Sequence, residues 1–99
     1  MIGIDITKIK RFRNLKAKVI EKILHLEEFE EFQKLQKKDK PQFLATRWAL
    51  KEAIFKCDNK FINFKKVRIN KDPSGRYIFE NFNLSTSNDC GLVVAVAEK

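Results

Sequence analysis

The chain has 99 residues and a formal net charge of +8, with 43% hydrophobic and 34% charged residues. This length fits a single domain, residues 1–99, and leaves no room for a second core. Nine Phe residues supply more apolar area than a disordered segment carries. The positive charge favours an anionic partner, whether nucleic acid, anionic lipid, a phosphorylated cofactor or an acidic protein, but does not choose among them.

Cysteine usage and hydropathy exclude several classes of protein. Cys57 and Cys90 are too few for a disulfide framework or a closed zinc site, and they indicate reduced thiols. The longest apolar run, Leu92 to Ala97, is too short to span a bilayer, and no signal peptide is visible at Met1. We therefore expect a cytoplasmic protein without membrane insertion.

The first predicted element is a strand over residues 1–7. Its residues alternate between an apolar face and a second face that carries an acid, with Ile2, Ile4 and Ile6 on the first and Gly3, Asp5 and Thr7 on the second. Period-2 alternation of this kind indicates a half-buried strand.

Helices are predicted for the middle of the chain. From Lys8 to about Gln36 the spacing becomes helical, with a basic first half and an acidic second half, and predicts two or three short helices. A polar connection over residues 37–40 follows. Pro41, at a first helical position, then opens a long helix that runs to about Cys57.

The last third of the chain is β-like. Residues 67–70 and 76–80 flank a turn at 72–75 and predict a hairpin. Residues 84–87 and 92–98 flank a turn at 88–91 and predict a second antiparallel pair. The fold class is therefore α+β: a small single domain with an amino-terminal strand, several helices including one long buried helix, and an antiparallel sheet.

The long helix carries charges beside apolar side chains. Its apolar residues form two arcs, so it is buried on two sides, and Glu52 and Lys56 lie one turn apart between them. On a solvated face they would form an i,i+4 ion pair worth roughly 0.2–0.5 kcal/mol. Beside apolar neighbours they are partly desolvated and need a partner such as a metal ion or a phosphate. The pattern leaves both alternatives open.

A second acid raises the case for a metal. Asp5 alone is more typical of an exposed edge residue, but together with Glu52 it indicates a hard-cation site with oxygen ligands. Mg²⁺ held by two carboxylates and by substrate phosphates fits, and Mn²⁺ is an alternative. Zinc does not fit, because the chain has one His and two scattered Cys.

Three segments of the chain resemble the holo-acyl-carrier-protein synthase family of 4′-phosphopantetheinyl transferases. The most specific is the spacing Arg-Trp/Phe-Ala-x-Lys-Glu-Ala-x-x-Lys, present here from Arg47 to Lys56. The other two occur in the family's order: Gly3-Ile4-Asp5-Ile6-Thr7 followed by Lys10-Arg11, and Leu84-Ser85-Thr86-Ser87.

The resemblance implies a trimeric enzyme with active sites at subunit interfaces. It would move the phosphopantetheine arm of coenzyme A to a serine of an apo acyl carrier protein and release adenosine 3′,5′-bisphosphate. By position, Asp5 and Glu52 would bind Mg²⁺, and Glu52, or a water that it holds, would take the serine proton. Lys56 would donate to the diphosphate, which completes the set of predicted catalytic residues.

The resemblance also implies residues that bind the two substrates. Contacts with coenzyme A are predicted for Arg47, Lys51, Lys60, Ser85, Thr86, Ser87 and Asn88, with a subunit interface as the alternative place for Lys51. Carrier proteins are acidic and helical around their serine, so contacts with the carrier are predicted for Arg11, Arg13, Leu15 and Lys18. For any single one of these cations, a solvated basic helix is the alternative. His25, the sole histidine, is interpreted as structural.

The chain departs from the family pattern in three places, one of which is a shortened loop between Glu80 and Asn83. Asp58-Asn59-Lys60-Phe61 replaces a Gly-Thr-Gly-type turn, and Phe adopts positive φ poorly. Asn88 stands where the family has a histidine expected to contact substrate, and Asn cannot carry charge.

These departures keep one alternative open, a catalytically degenerate paralogue, and the positive charge keeps open a second, a basic nucleic-acid-binding module. The second explains the net charge but not the two acids, and the chain has no recognisable nucleic-acid-binding motif. We therefore expect no nucleic-acid partner.

Overall fold

A computed structural model describes all 99 residues, Met1–Lys99. The helices are α1 (Ala17–Ile23), α2 (Leu26–Lys34) and α3 (Lys40–Cys57). The strands are β1 (Ile2–Lys8), β2 (Asn70–Lys71), β3 (Tyr77–Ile78), β4 (Asn83–Asp89) and β5 (Leu92–Glu98). Short 3-10 turns lie at Ile9–Phe12, Lys37–Asp39 and Phe64–Lys66. The predicted α+β class is confirmed, as are the long helix and the shorter helices before it.

The main sheet joins the two ends of the chain. Its three antiparallel strands have the order β1, β5, β4, so Asp5 lies opposite Ala95, and Ala95 lies opposite Thr86. Cys90 and Gly91 connect β4 to β5 with φ values of +49° and +77°. Positive φ at both positions is typical of a two-residue type I′ hairpin turn, which suits the twist of the flanking strands.

The other predicted hairpin, residues 67–70 with 76–80, is shorter than expected. Its strands β2 and β3 have two residues each and form a separate sheet. The Asp72 carboxylate closes the turn by accepting backbone N–H groups two and four residues further on, at 2.9 and 3.0 Å. The preceding segment buries Val67 and Ile69 in the core. It therefore packs against the core and does not extend the pairing of β2 with β3.

Helix α3 packs against the sheet on one side and against the short helices on the other. Ten of its 18 residues are buried. Gly3 of β1 lies so close to it that an added Cβ would be 1.9 Å from the carbonyl oxygen of Ala53. This close approach of strand and helix brings Asp5, two residues along β1, towards Glu52, the neighbour of Ala53.

The half-buried strand is confirmed, but the buried face of β1 is the one that carries the acid. Gly3 and Thr7 are buried, whereas Ile2, Ile4 and Ile6 are 66%, 58% and 59% exposed. The physical reason is the size of Gly3, because only a residue without a side chain permits the contact with α3. The isoleucine face is left uncovered in the single protomer. None of the helices combines the length and hydrophobicity needed to cross a bilayer.

Candidate active site

Strand β1 and helix α3 bring Asp5 and Lys56 into contact. The Lys56 ammonium donates to Asp5 Oδ1 at 3.2 Å and to the backbone oxygen of Ile4 at 2.9 Å. The Asp5 side chain is only 14% exposed, and its second oxygen, Oδ2, is buried and accepts no hydrogen bond. A buried carboxylate oxygen without a partner is costly. It is therefore available to a cation or to a donor on a ligand.

Glu52 is a partly buried carboxylate with a raised pKa. Burial raises the pKa of Glu52, and the charge of Asp5 raises it further, while Lys56 and Arg11 partly oppose the shift. The i,i+4 ion pair between Glu52 and Lys56 is absent, because the ammonium bonds to Asp5 instead. Of the two alternatives for these helix charges, the solvated ion pair is therefore wrong.

The donor set fits Mg²⁺ or Mn²⁺. Asp5 and Glu52 offer hard oxygen ligands, and the charge of Asp5 disfavours ionisation of Glu52. No group of three or more His, Cys, Asp or Glu side chains is arranged so that it could hold a metal ion, so the protein alone would not complete a coordination shell. Magnesium keeps several waters and shares its shell with substrate phosphates. Glu52, which lines an open cleft, and the nearby Asp5 suit this behaviour.

The cleft beside Glu52 has a volume of about 410 Å³. Its walls include Trp48, Phe55 and Phe64, and Lys22 also lines it. Trp48 packs edge-on against Phe64, with ring centroids 5.4 Å apart. Apolar walls exclude water, which is why burial is the leading cause of the raised Glu52 pKa.

Arg11 lies on the other side of Trp48. Its Nη1 donates to Thr7 Oγ1 at 2.9 Å, and its guanidinium carbon is 6.0 Å from the Trp48 ring centroid. Arg11 and Leu15 line one shallow groove next to this ring, while Arg13 and Lys18 are exposed on the same segment of the chain. The basic segment predicted to meet the carrier therefore begins beside the cleft.

Lys51 lies in the interior rather than in the cleft. It is 0% exposed, and its ammonium donates to Glu28, to the Ile23 oxygen at 2.8 Å and to the Phe64 oxygen at 3.0 Å. All three ammonium protons are engaged. The predicted contact of Lys51 with coenzyme A therefore disagrees with the structure, and so does a place for it at a subunit interface.

Glu28 is a buried counterion that the sequence patterns did not single out. It is 1% exposed and accepts from Arg47 Nε at 3.0 Å, from the backbone of His25 at 2.9 Å and from the backbone of Ile69 at 3.3 Å. Burial lowers the pKa of Lys51, and Glu28 opposes that shift. The available signal was local: Glu28 is the third residue of a helix, where an acid can bond back to the cap.

Arg47 and His25 are structural in this geometry. The Arg47 guanidinium is 4% exposed and lies 4.4 Å from the Phe43 ring centroid and 5.1 Å from that of Tyr77. The predicted contact of Arg47 with coenzyme A therefore disagrees with its burial. The structural interpretation of His25 is confirmed, because its Nδ1 accepts the backbone N–H of Glu27 at the start of α2.

The predicted coenzyme A contacts on β4 lie away from Asp5 within one protomer. Strand β5 separates residues 85–88 from β1, a distance of about 9–10 Å for two strand spacings. The register places Ser85 in line with Ile4, and Ser87 in line with Ile6, on the exposed face of the sheet. One protomer therefore does not bring this strand together with the two acids.

The loop after α3 has ordinary backbone angles despite the lack of glycine. None of residues 58–61 has a positive φ. Asp58 accepts from the Lys99 ammonium at 3.0 Å and from the backbone of Lys60 at 3.2 Å, and these bonds lower the pKa of Asp58. Lys60 itself is exposed. A carboxylate stabilises the turn here, in place of the conformational freedom of glycine.

The chain is similar to known sequences over nearly its whole length. Residues 1–97 match the 4′-phosphopantetheinyl transferase superfamily. The holo-[acyl-carrier-protein] synthase of Mycoplasma mobile is 48% identical over 99 residues, covering 100% of this chain and 88% of that protein. The synthase of Mycoplasmopsis pulmonis is 46% identical, covering 100% and 89%.

Solved structures show the same fold. A holo-(acyl-carrier-protein) synthase from Bacillus anthracis in complex with CoA (3′,5′-ADP) aligns with a TM-score of 0.84 at 28% identity, covering 97% of this chain and 91% of that one. The Helicobacter pylori synthase in complex with coenzyme A aligns with a TM-score of 0.78 at 30% identity, covering 98% and 97%. The chain belongs to the 4′-phosphopantetheinyl transferase superfamily, within its holo-[acyl-carrier-protein] synthase branch of enzymes.

Proposed function

We propose that the chain transfers the 4′-phosphopantetheine group of coenzyme A to a serine of an apo acyl carrier protein, with Mg²⁺ held by Asp5 and Glu52. One observation carries this proposal: Glu52 lines a cleft and has a pKa raised in part by the charge of Asp5, and Asp5 has a buried carboxylate oxygen that lacks a partner. A divalent ion would neutralise both charges. Neither a structural protein nor a nucleic-acid-binding module needs such a pair.

The proposed reaction exchanges one phosphorus–oxygen bond for another. The serine oxygen attacks the phosphorus that carries the pantetheine arm, and the bond from that phosphorus to the bridging oxygen breaks. The electron pair of this bond leaves with adenosine 3′,5′-bisphosphate. Mg²⁺, when bound, would neutralise the diphosphate and the charge that develops on the leaving group.

Glu52 takes the serine proton, directly or through a water that it holds. The raised pKa of Glu52 suits this role, because a base works best when its pKa is near the operating pH. Lys56 is half exposed beside Asp5 and donates to the diphosphate oxygens once the substrate is present.

A homotrimer supplies the rest of the site in this proposal. Residues 85–88 contact coenzyme A only if another subunit completes the cleft, since β4 is two strands away from Asp5 within one protomer. Lys60, which is exposed, contacts coenzyme A as well. The uncovered face of Ile2, Ile4 and Ile6 supports such an assembly, because contiguous exposed apolar surface is typical of interaction sites.

The acidic carrier protein binds along the basic segment that begins beside the cleft. Arg11 and Leu15 share a groove there, and Arg13 and Lys18 add exposed positive charge. Complementary charge of this kind favours the encounter and the register of two proteins.

The test is direct transfer. The purified chain is mixed with coenzyme A, Mg²⁺ and an apo acyl carrier protein, and the carrier is weighed by mass spectrometry, with a parallel reaction in a metal chelator. We expect a mass gain of one phosphopantetheine group that the chelator prevents. No gain over hours would contradict the proposal and favour a degenerate relative. Tight, strongly salt-dependent binding of nucleic acid in its place would favour the other alternative.

A further inference from the structure

The Lys56 ammonium contacts strand β1, although half of the Lys56 side chain is exposed. An exposed lysine ordinarily keeps its ammonium in water. Here the ammonium donates to the oxygen of Ile4 and to Asp5 Oδ1, two acceptors on adjacent residues of β1. Glu52, one helical turn away, does not pair with it. The contact is therefore specific for Asp5.

The contact places a positive charge on the carboxylate that is proposed to hold the metal. The other cation near Glu52 is Arg11, and its hydrogen bond goes to Thr7 Oγ1 instead. Lys56 is thus the one side chain that bonds to Asp5. A divalent ion bound to Asp5 would lie next to this ammonium, and like charges at such short range repel strongly.

We infer that the Lys56 ammonium takes the place of the divalent cation. It bonds to the Asp5 carboxylate while the ion is absent, and it leaves the carboxylate when the ion binds. The inference rests on the proposed function, because it concerns the same pair of acids. Lys56 is consequently a positioning residue before the substrates arrive. Once displaced, its ammonium is free to bond to the diphosphate.

Two effects on ion binding follow from this exchange. Without coenzyme A, Lys56 competes with the ion and weakens its binding. With coenzyme A, the diphosphate gives the displaced ammonium a new acceptor, so the nucleotide and the ion strengthen each other's binding through Lys56. If Lys56 only oriented Asp5, its removal would leave the carboxylate less well placed and would weaken ion binding in the absence of coenzyme A.

Titration with Mn²⁺, followed by the electron paramagnetic resonance signal of the free ion, separates these cases without measuring activity. We expect Lys56→Met to bind Mn²⁺ more tightly than the wild type in the absence of coenzyme A, by roughly fivefold or more. Saturating coenzyme A should then tighten Mn²⁺ binding to the wild type much more than to Lys56→Met. Arg11→Gln is the matched control, because it also removes a positive charge near Glu52 but breaks no bond to Asp5.

Equal or weaker binding of Mn²⁺ by Lys56→Met would overturn the inference, and so would an equal gain in Arg11→Gln, which would show a general effect of charge. Circular dichroism of each variant verifies the fold. Transfer by the wild type, measured separately by the mass of the carrier, separates the two failures. If the carrier gains mass but Lys56→Met binds Mn²⁺ as the wild type does, this inference alone is refuted. If neither Mn²⁺ binding nor transfer is observed, the proposed function is refuted as well.

Discussion

Asp5 and Glu52 have the same functional group but different surroundings. Asp5 already bonds to an ammonium through one oxygen, while Glu52 has no cationic partner in contact and has a raised pKa. The environment therefore divides the roles: Asp5 is suited to hold a cation, and Glu52 is suited to accept a proton as well.

Replacing Glu52 tests its role in catalysis. We expect Glu52→Gln to lower the rate of transfer by roughly 10²- to 10⁴-fold, because an amide neither accepts the serine proton nor neutralises a cation. The measurement is the time course of carrier mass at saturating coenzyme A. Glu30→Gln, the same change on the exposed face of α2, is the control and should retain the wild-type rate. A Glu52→Gln rate close to wild type would remove Glu52 from the mechanism.

The raised pKa of Glu52 also has a consequence for stability. Because the native state holds this proton more tightly than the unfolded state does, ionisation of Glu52 destabilises the fold at a pH above its pKa. In a metal chelator we therefore expect Glu52→Gln to unfold at a higher urea concentration than the wild type at pH 8. The difference should shrink as the pH falls and vanish below the ordinary value of 4.5. If Glu52→Gln is less stable than the wild type at pH 8, burial does not disfavour the ionised Glu52 carboxylate.

At the scale of elements, the contact between β1 and α3 positions both acids. Gly3→Ala would place a Cβ 1.9 Å from the backbone oxygen of Ala53, and backbone cannot move aside as a side chain does. We expect a loss of stability of roughly 1–3 kcal/mol or more and a loss of transfer, because strand and helix must separate. Urea denaturation and the carrier mass assay measure the two effects.

Gly75→Ala is the control for the loss of a glycine. Gly75 has φ +89° with open space around it, so this change introduces only backbone strain, of about 1–2 kcal/mol. Transfer should survive. Equal loss of transfer in both variants would mean that instability, rather than the spacing of β1 and α3, is responsible.

The interior of the helical layer depends on one acid. Glu28→Gln would leave Lys51 and Arg47 without their buried counterion, and breaking such a cluster costs about 3–5 kcal/mol. Glu27→Gln is a matched control one residue away, since Glu27 pairs with Arg68 where both side chains are nearly half exposed, and such pairs are worth about 0–1 kcal/mol. Urea unfolding should separate the two variants clearly. Equal stabilities would mean that the buried cluster is not needed.

At the scale of the whole molecule, the proposed trimer depends on the uncovered face of the sheet. We expect Ile4→Glu to reduce the mass measured by light scattering from that of a trimer to that of a monomer, because a charge would be buried in the interface. Leu26→Glu is the control, since Leu26 is 67% exposed and lies on α2, outside the sheet. A trimer that survives Ile4→Glu would place the interface elsewhere.

The sequence by itself determined the elements that local chemistry controls. Pro41 and the two apolar arcs predicted α3, and the order of motifs selected Asp5 and Glu52 and indicated the family. The contacts that these residues make were harder to predict. The motif that contains Glu52 also predicts a contact of Lys51 with coenzyme A, but Lys51 is buried in the interior.

Only the tertiary structure decided which face of β1 is buried and which strand β1 pairs with, namely β5 from the other end of the chain. It also decided which acids pair with Lys51 and Lys56. Glu28 is 23 residues from Lys51, and Asp5 is 51 residues from Lys56. Periodicity and capping act over a few residues and leave a local pattern, whereas a contact made by packing distant segments leaves none. For that reason the two acids could be named from the sequence, while the cations that bond to them required the fold.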